Sequence, residues 1–124
     1  MKLRIRIITI LASAILVIPA LMYQPAYAGV VSPIKSNAGI EGKVKTLFEK
    51  SPEMIAIAHC ESGFRQFNNQ GKPLVGGGVN IGVFQISRGH TKSALALGMD
   101  IKTIEGNLAY AKHMFDNQGT RPWK

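Results

Sequence analysis

Of the seven acidic side chains in this 124-residue chain, one is placed unlike the others. Glu61 falls four residues after Ile57, three after Ala58 and seven after Met54, spacings that bring side chains onto one face of a helix. The expectation is a carboxyl set on an apolar stripe. Burial there disfavours the anion, and the negative end of the helix dipole acts in the same direction. A glutamic acid held in that way can donate a proton near neutral pH. The alternative is an ordinary helix-end glutamate turned to solvent. Other reactive types are sparse. Cys60 is the one cysteine, so no internal disulfide can form, and with no other sign of thiol chemistry it reads as a small buried side chain. His59, His90 and His113 lack metal-ligand spacing, so neither metal nor cofactor is expected. Gly76-Gly77-Gly78 is followed by no Lys-Ser or Lys-Thr and is not a phosphate loop.

The elements that must position Glu61 can be read from periodicity. Ile40, Val44, Leu47 and Phe48 recur at helical spacing among charged residues, which predicts an amphipathic helix ending near Lys50. A second helix follows, with Ser51 as N-cap, Pro52 at its first position, Glu53 on the positive dipole end and Gly63 as its stop. From Gly63 to Asn80 the residues are polar and glycine-rich, predicting turns or a short hairpin. After the apolar patch Ile81 to Ile86, a short helix is expected from Thr91 to Leu97, stopped by Gly98. The last helix carries the stripe Ile104, Leu108, Ala111 and Phe115, with Asp100 or Thr103 as cap and Gly119 beyond its end. The fold class expected is mainly α: a small helical α+β domain with a glycine-rich loop or short hairpin beside a cleft.

Residues 1–28 read as a secretory signal peptide: Lys2, Arg4 and Arg6, an apolar run from Ile7 to Ile18, Pro19, and Ala26-Tyr27-Ala28 as the cleavage site. An uncleaved anchor is the alternative, but the apolar stretch is shorter than the roughly 20 residues of a spanning helix. Either way the remainder is expected to be exported, to the periplasm, cell wall or exterior. Removing residues 1–28 leaves 96 residues, with twelve basic and seven acidic side chains. That length allows one small domain and excludes multidomain machinery. Residues 29–38, with Pro33 and small polar residues, read as a linker before a domain at 39–124. The net charge of +5 that remains is scattered singly without a nucleic-acid motif. It suits the anionic bacterial envelope better than nucleic acid, which is not expected as a partner.

The run Ala58-His59-Cys60-Glu61-Ser62-Gly63-Phe64, followed by Ile81-Gly82-Val83-Phe84-Gln85-Ile86, resembles the Glu-Ser and Gly-Leu-Met-Gln-Ile motifs of the soluble lytic transglycosylases, in the lysozyme-like superfamily. Glu105 to Ala111 resembles the Asn-led helix of that family, and Gly119 to Trp123 the Gly-x-x-Pro-Trp ending of small secreted relatives. The resemblance covers roughly residues 45–123. It implies that Glu61 is the single catalytic acid/base cleaving the β-1,4 bond between N-acetylmuramic acid and N-acetylglucosamine in peptidoglycan. Ser62 would orient the glutamate or touch sugar, and Gln85 would hydrogen-bond substrate in the cleft. Phe84 and Tyr110 are further substrate-binding candidates, although Tyr110 on a helix also reads as core. Phe64, Phe67 and Trp123 could stack on sugar rings, but so small a domain needs its aromatics for burial.

A glycosidase normally uses two carboxylates, yet Ser62 to Met99 contains no Asp or Glu. Asp100 reads as a cap, and Glu105 and Asp116 as solvent-facing helix positions. One glutamate must then work with help from the substrate, and the resemblance implies a 1,6-anhydromuramyl end as the product. The chain departs from the family in lacking an Ala-Tyr-Asn-Ala-Gly segment, a closing helix and a second cysteine after Pro-Trp, so a cleft open on one side is expected. The competing readings are a hydrolytic muramidase and a non-catalytic peptidoglycan-binding module. A monomer is expected.

Overall fold

A computed structural model of the chain describes residues 35–124. The expected signal peptide and most of the expected linker lie outside the described residues. Helices predominate over a small antiparallel sheet, so the domain is mixed α/β. Four α-helices form: α1 (Ile40–Leu47), α2 (Pro52–Ser62), α3 (Thr91–Ala96) and α4 (Ile104–Gln118). Between α2 and α3 lie β1 (Val75–Gly76), β2 (Asn80–Ile81) and β3 (Ile86–Ser87), hydrogen-bonded in that order. The first pair matches Val75 with Ile81 and Gly76 with Asn80, and the second matches Ile81 with Ile86 and Asn80 with Ser87. The glycine-rich segment is therefore the predicted hairpin, extended by one further short strand. Among the described residues no helix is long and apolar enough to cross a membrane.

The local signals explain the boundaries. Gly63 ends α2 at φ 60° and Gly98 follows α3 at φ 74°, a region that disfavours a Cβ. The Thr103 hydroxyl, and not Asp100, caps α4 by accepting from the Gly106 amide at 3.0 Å. Asp100 instead accepts from the Lys102 amide at 3.0 Å. Ser51 occupies the N-cap position of α2, but its hydroxyl makes no capping bond. α1 stops at Leu47, where the sequence predicted Lys50; Phe48 leaves helical geometry and its amide closes on Val44. The expected linker also needs correction at its end. Asn37 accepts from the Gln66 and Phe67 amides, both at 2.9 Å, and donates to the Phe67 carbonyl at 2.8 Å. These bonds stitch the segment to the loop after α2.

The core gathers Ile40, Val44 and Phe48 with Met54 and Ala58 of α2, Ile81 and Phe84 around the sheet, and Leu108, Ala111 and Met114 of α4. Phe48 meets Phe84 and Phe115 edge-on, with centroids 5.4 and 6.1 Å apart. Each side chain of this size contributes about 1.5–3 kcal/mol when fully buried. Because Cys60 has no partner cysteine in the chain, this packing carries the stability that disulfides supply in many other small domains.

Candidate active site

Three polar side chains sit inside the core and hold the loop that faces α2. Ser62, Gln66 and Asn107 are all buried. The Ser62 hydroxyl donates to the Val83 carbonyl at 2.8 Å and accepts from the Arg65 amide at 3.0 Å. Gln66 donates to the Ile101 carbonyl at 3.0 Å and accepts from the Val83 amide at 3.1 Å. Asn107 accepts from the Phe84 amide at 3.0 Å and donates to the Ile81 and Ile101 carbonyls at 2.8 and 2.9 Å. Backbone groups of Ile81 to Phe84 that could not reach water are thereby satisfied, as buried groups must be. Gly82 lies between them at φ +74°, and a Cβ there would collide with the Gln66 and Asn107 amides. The loop is consequently fixed to α2 and α4 together.

The fixed loop delivers Gln85 to a cleft of about 420 Å³, lined by Glu61, Asn80, Gln85, Ser87, His90 and Trp123 among others. Gln85 adopts φ 45°, a strained conformation for a residue with a Cβ. Its Nε2 donates to the Gly82 carbonyl at 2.8 Å, and its side chain fills the space where a Cβ on Gly76 would stand. Thus one glycine of the hairpin exists to let Gln85 lie across it. His90 meets the Tyr110 hydroxyl through Nδ1 at 3.1 Å, which leaves Nε2 as the ring nitrogen that Tyr110 does not engage. Trp123 donates from Nε1 to the Phe84 carbonyl at 2.9 Å, fixing a half-buried indole on the cleft wall.

Several expected placements change. Glu61 is exposed, not set into the apolar stripe. The buried line on α2 is Met54, Ala58, Ser62, each four residues apart; at about 100° per residue, Glu61 lies some 60° to the side of Ala58. The same geometry exposes Cys60, which is not the buried small side chain expected. Phe84 is fully buried against Phe48 and Trp123, so its ring offers no face to a sugar. Tyr110 is also buried and stands behind His90. Ser62 has its hydroxyl committed to the loop and is withdrawn from solvent, so it positions rather than touches a ligand. Phe67 is buried and Phe64 half-buried.

Of the expected site residues, then, Glu61 and Gln85 reach the cleft, while Ser62, Phe84 and Tyr110 support it. Asn80, Ser87 and His90 are cleft residues that the sequence reading did not single out. A period-two reading from Gln85 would have placed Ser87 on the same side, but nothing in the sequence marks His90. Glu61 is the only Asp or Glu in the cleft lining. The three acids after Glu61 are elsewhere: Asp100 accepts from the Lys102 amide at 3.0 Å, and on the surface Glu105 pairs with Lys43 at 2.9 Å and Asp116 with Lys112 at 2.6 Å. Among the described residues no group of three or more His, Cys, Asp or Glu is placed to hold a metal. Comparison with protein-family models, with curated proteins and with solved structures finds no match to this chain.

Proposed function

We propose that this is a lysozyme-like domain of an exported, monomeric lytic transglycosylase, cutting the glycan strands of peptidoglycan with Glu61 as its single acid/base. The observation that carries the reading is the meeting of Glu61 and Gln85 in one cleft whose lining holds no second carboxylate side chain. These two residues come from the two separate motifs that resemble the transglycosylase family. A glycan strand laid in the cleft would displace water from around the exposed Glu61. Glu61 then protonates the leaving oxygen as the C1–O bond breaks. The neighbouring acetamido oxygen stabilises the positive centre at C1. The Glu61 carboxylate next takes the proton of the sugar's 6-hydroxyl as O6 bonds to C1. No water is consumed, and Glu61 returns to its starting state.

Gln85, Asn80 and Ser87 supply amide and hydroxyl groups for sugar hydroxyls, and Trp123 an aromatic face. Zymography on purified peptidoglycan with the wild type beside Glu61→Gln tests the reading. Clearing by the wild type alone is expected. Clearing by both would remove Glu61 from the mechanism. The exposure of Glu61 favours a second reading, a peptidoglycan-binding module without turnover, which predicts wall binding and no clearing by either protein.

A further inference from the structure

At β2 and at the end of β3, one residue goes to the cleft and the next to a second hollow. Asn80 and Ser87 line the cleft, whereas Ile81 and Arg88 line the hollow. The hollow measures about 600 Å³, and Pro73, Val75, Thr91 and Lys102 complete its lining. Its chemistry divides into an apolar part (Pro73, Val75 and Ile81), two cations and one hydroxyl. Among the described residues neither Arg88 nor Lys102 joins a salt bridge. Asp100, which accepts from the Lys102 amide, does not line the hollow. Thr91 Oγ1 is the one buried side-chain polar atom without a hydrogen-bond partner among the described residues. That oxygen is closed to solvent, so it belongs to the wall of the hollow and not to its ligand contacts. Val75, meanwhile, is a large apolar side chain left 43% exposed.

We infer that this hollow binds the carboxylate side chain of a short acidic peptide. Arg88 and Lys102 neutralise the carboxylate, the guanidinium being suited to two parallel hydrogen bonds. Val75 and Ile81 pack on the methylene groups that carry the acid. An inorganic anion would use the cations but leave the apolar part uncovered. The site lies on residues other than those assigned to glycan cleavage and goes beyond that reading.

The test is an NMR titration of the ¹⁵N-labelled full chain with acetyl-alanyl-glutamate amide, its glutamine counterpart and inorganic phosphate. The expected result is saturable shifts at the amides of Arg88, Thr91 and Lys102 with the glutamate peptide, and at least about tenfold weaker binding of the other two probes. Arg88→Gln with Lys102→Gln should lose about tenfold in affinity, whereas the same charge change at Lys50 and Lys72 should leave it within about twofold. Equal binding of the glutamine peptide, or an unchanged affinity in the Arg88/Lys102 variant, would overturn the proposal. Phosphate binding as tightly as the glutamate peptide would also overturn it, by making this a general anion site. Glu61→Gln should retain peptide binding, so a failure here and a failure of the glycan-cleavage reading are separately visible.

Discussion

Two polar regions meet at the C-terminal end of α2 and are built on opposite terms. Inside, Ser62, Gln66 and Asn107 are buried and spend their hydrogen-bonding groups on backbone atoms of Val83, Phe84, Ile81 and Ile101. Outside, Glu61 is exposed and, with Gln85 and His90, lines an open cleft. Glu61 and Ser62 are neighbours in sequence, yet one turns to water and the other locks the loop. The inner region makes the outer one possible: the loop that carries Gln85 is held in place by groups that never meet a ligand. Under the proposed function, stability and reactivity should therefore be separable by mutation.

The largest effect expected from breaking the inner region is at Asn107. Asn107→Leu removes three hydrogen bonds at once and takes this partner from the Phe84 amide and the Ile81 carbonyl, while the Ile101 carbonyl keeps its bond from Gln66, at a cost of about 3 kcal/mol or more. Denaturant unfolding should show that loss, with activity falling because Gln85 is no longer placed. Ser62→Ala should act in the same direction but more weakly, by about 1–2 kcal/mol, since the Val83 carbonyl and the part-buried Arg65 amide lose a partner. Gln85→Ala sharpens the contrast from the other side. It should lower peptidoglycan turnover by about tenfold through lost transition-state contacts, which is roughly 1.4 kcal/mol, while the melting temperature stays nearly constant. A large drop in stability from Gln85→Ala would show that the two regions are not separable.

The smallest effect concerns charge on the surface. Hydrogen bonding to Lys43 holds the Glu105 carboxyl below the ordinary glutamate value of 4.5, and Lys45 does the same for Glu41. Because the folded value is the lower one, each pair contributes stability above pH 4.5 and loses it as the pH falls through the lowered value. Glu105→Gln should cost about 0.5 kcal/mol at neutral pH, given the exposure of the pair. Urea unfolding at a series of acid pH values should show the gap between variant and wild type closing.

Helix limits were legible where a single residue decides them: Gly63, Gly98, Thr103 and Gly119 each act as their chemistry dictates. The facing of α2 was not. Met54, Ile57, Ala58 and Glu61 satisfy an apolar pattern on paper, but Ile57 is only half-buried and the stripe continues through Ser62, a polar residue. A pattern that counts only apolar residues cannot see a core position taken by a hydroxyl or an amide. Gln66 and Asn107 were missed as core for that reason, and their partners are distant in sequence. Gln85 was singled out by the resemblance of motifs alone, whereas Glu61 was singled out first by helical spacing, whose premise of burial the structure overturns. His90 reaches the cleft from a turn at Arg88–His90 and depends on Tyr110, twenty residues away, for its orientation. No local signal could have supplied that.

The central claim is that Glu61 cleaves glycan strands alone, with the sugar's 6-hydroxyl as the nucleophile. Mass spectrometry of the fragments released from purified peptidoglycan tests it most directly, with Glu61→Gln digested in parallel. The account predicts muramyl ends one water lighter than hydrolysed ones from the wild type and no release from the variant. Fragments carrying only hydrated ends, or equal release by Glu61→Gln, would contradict it.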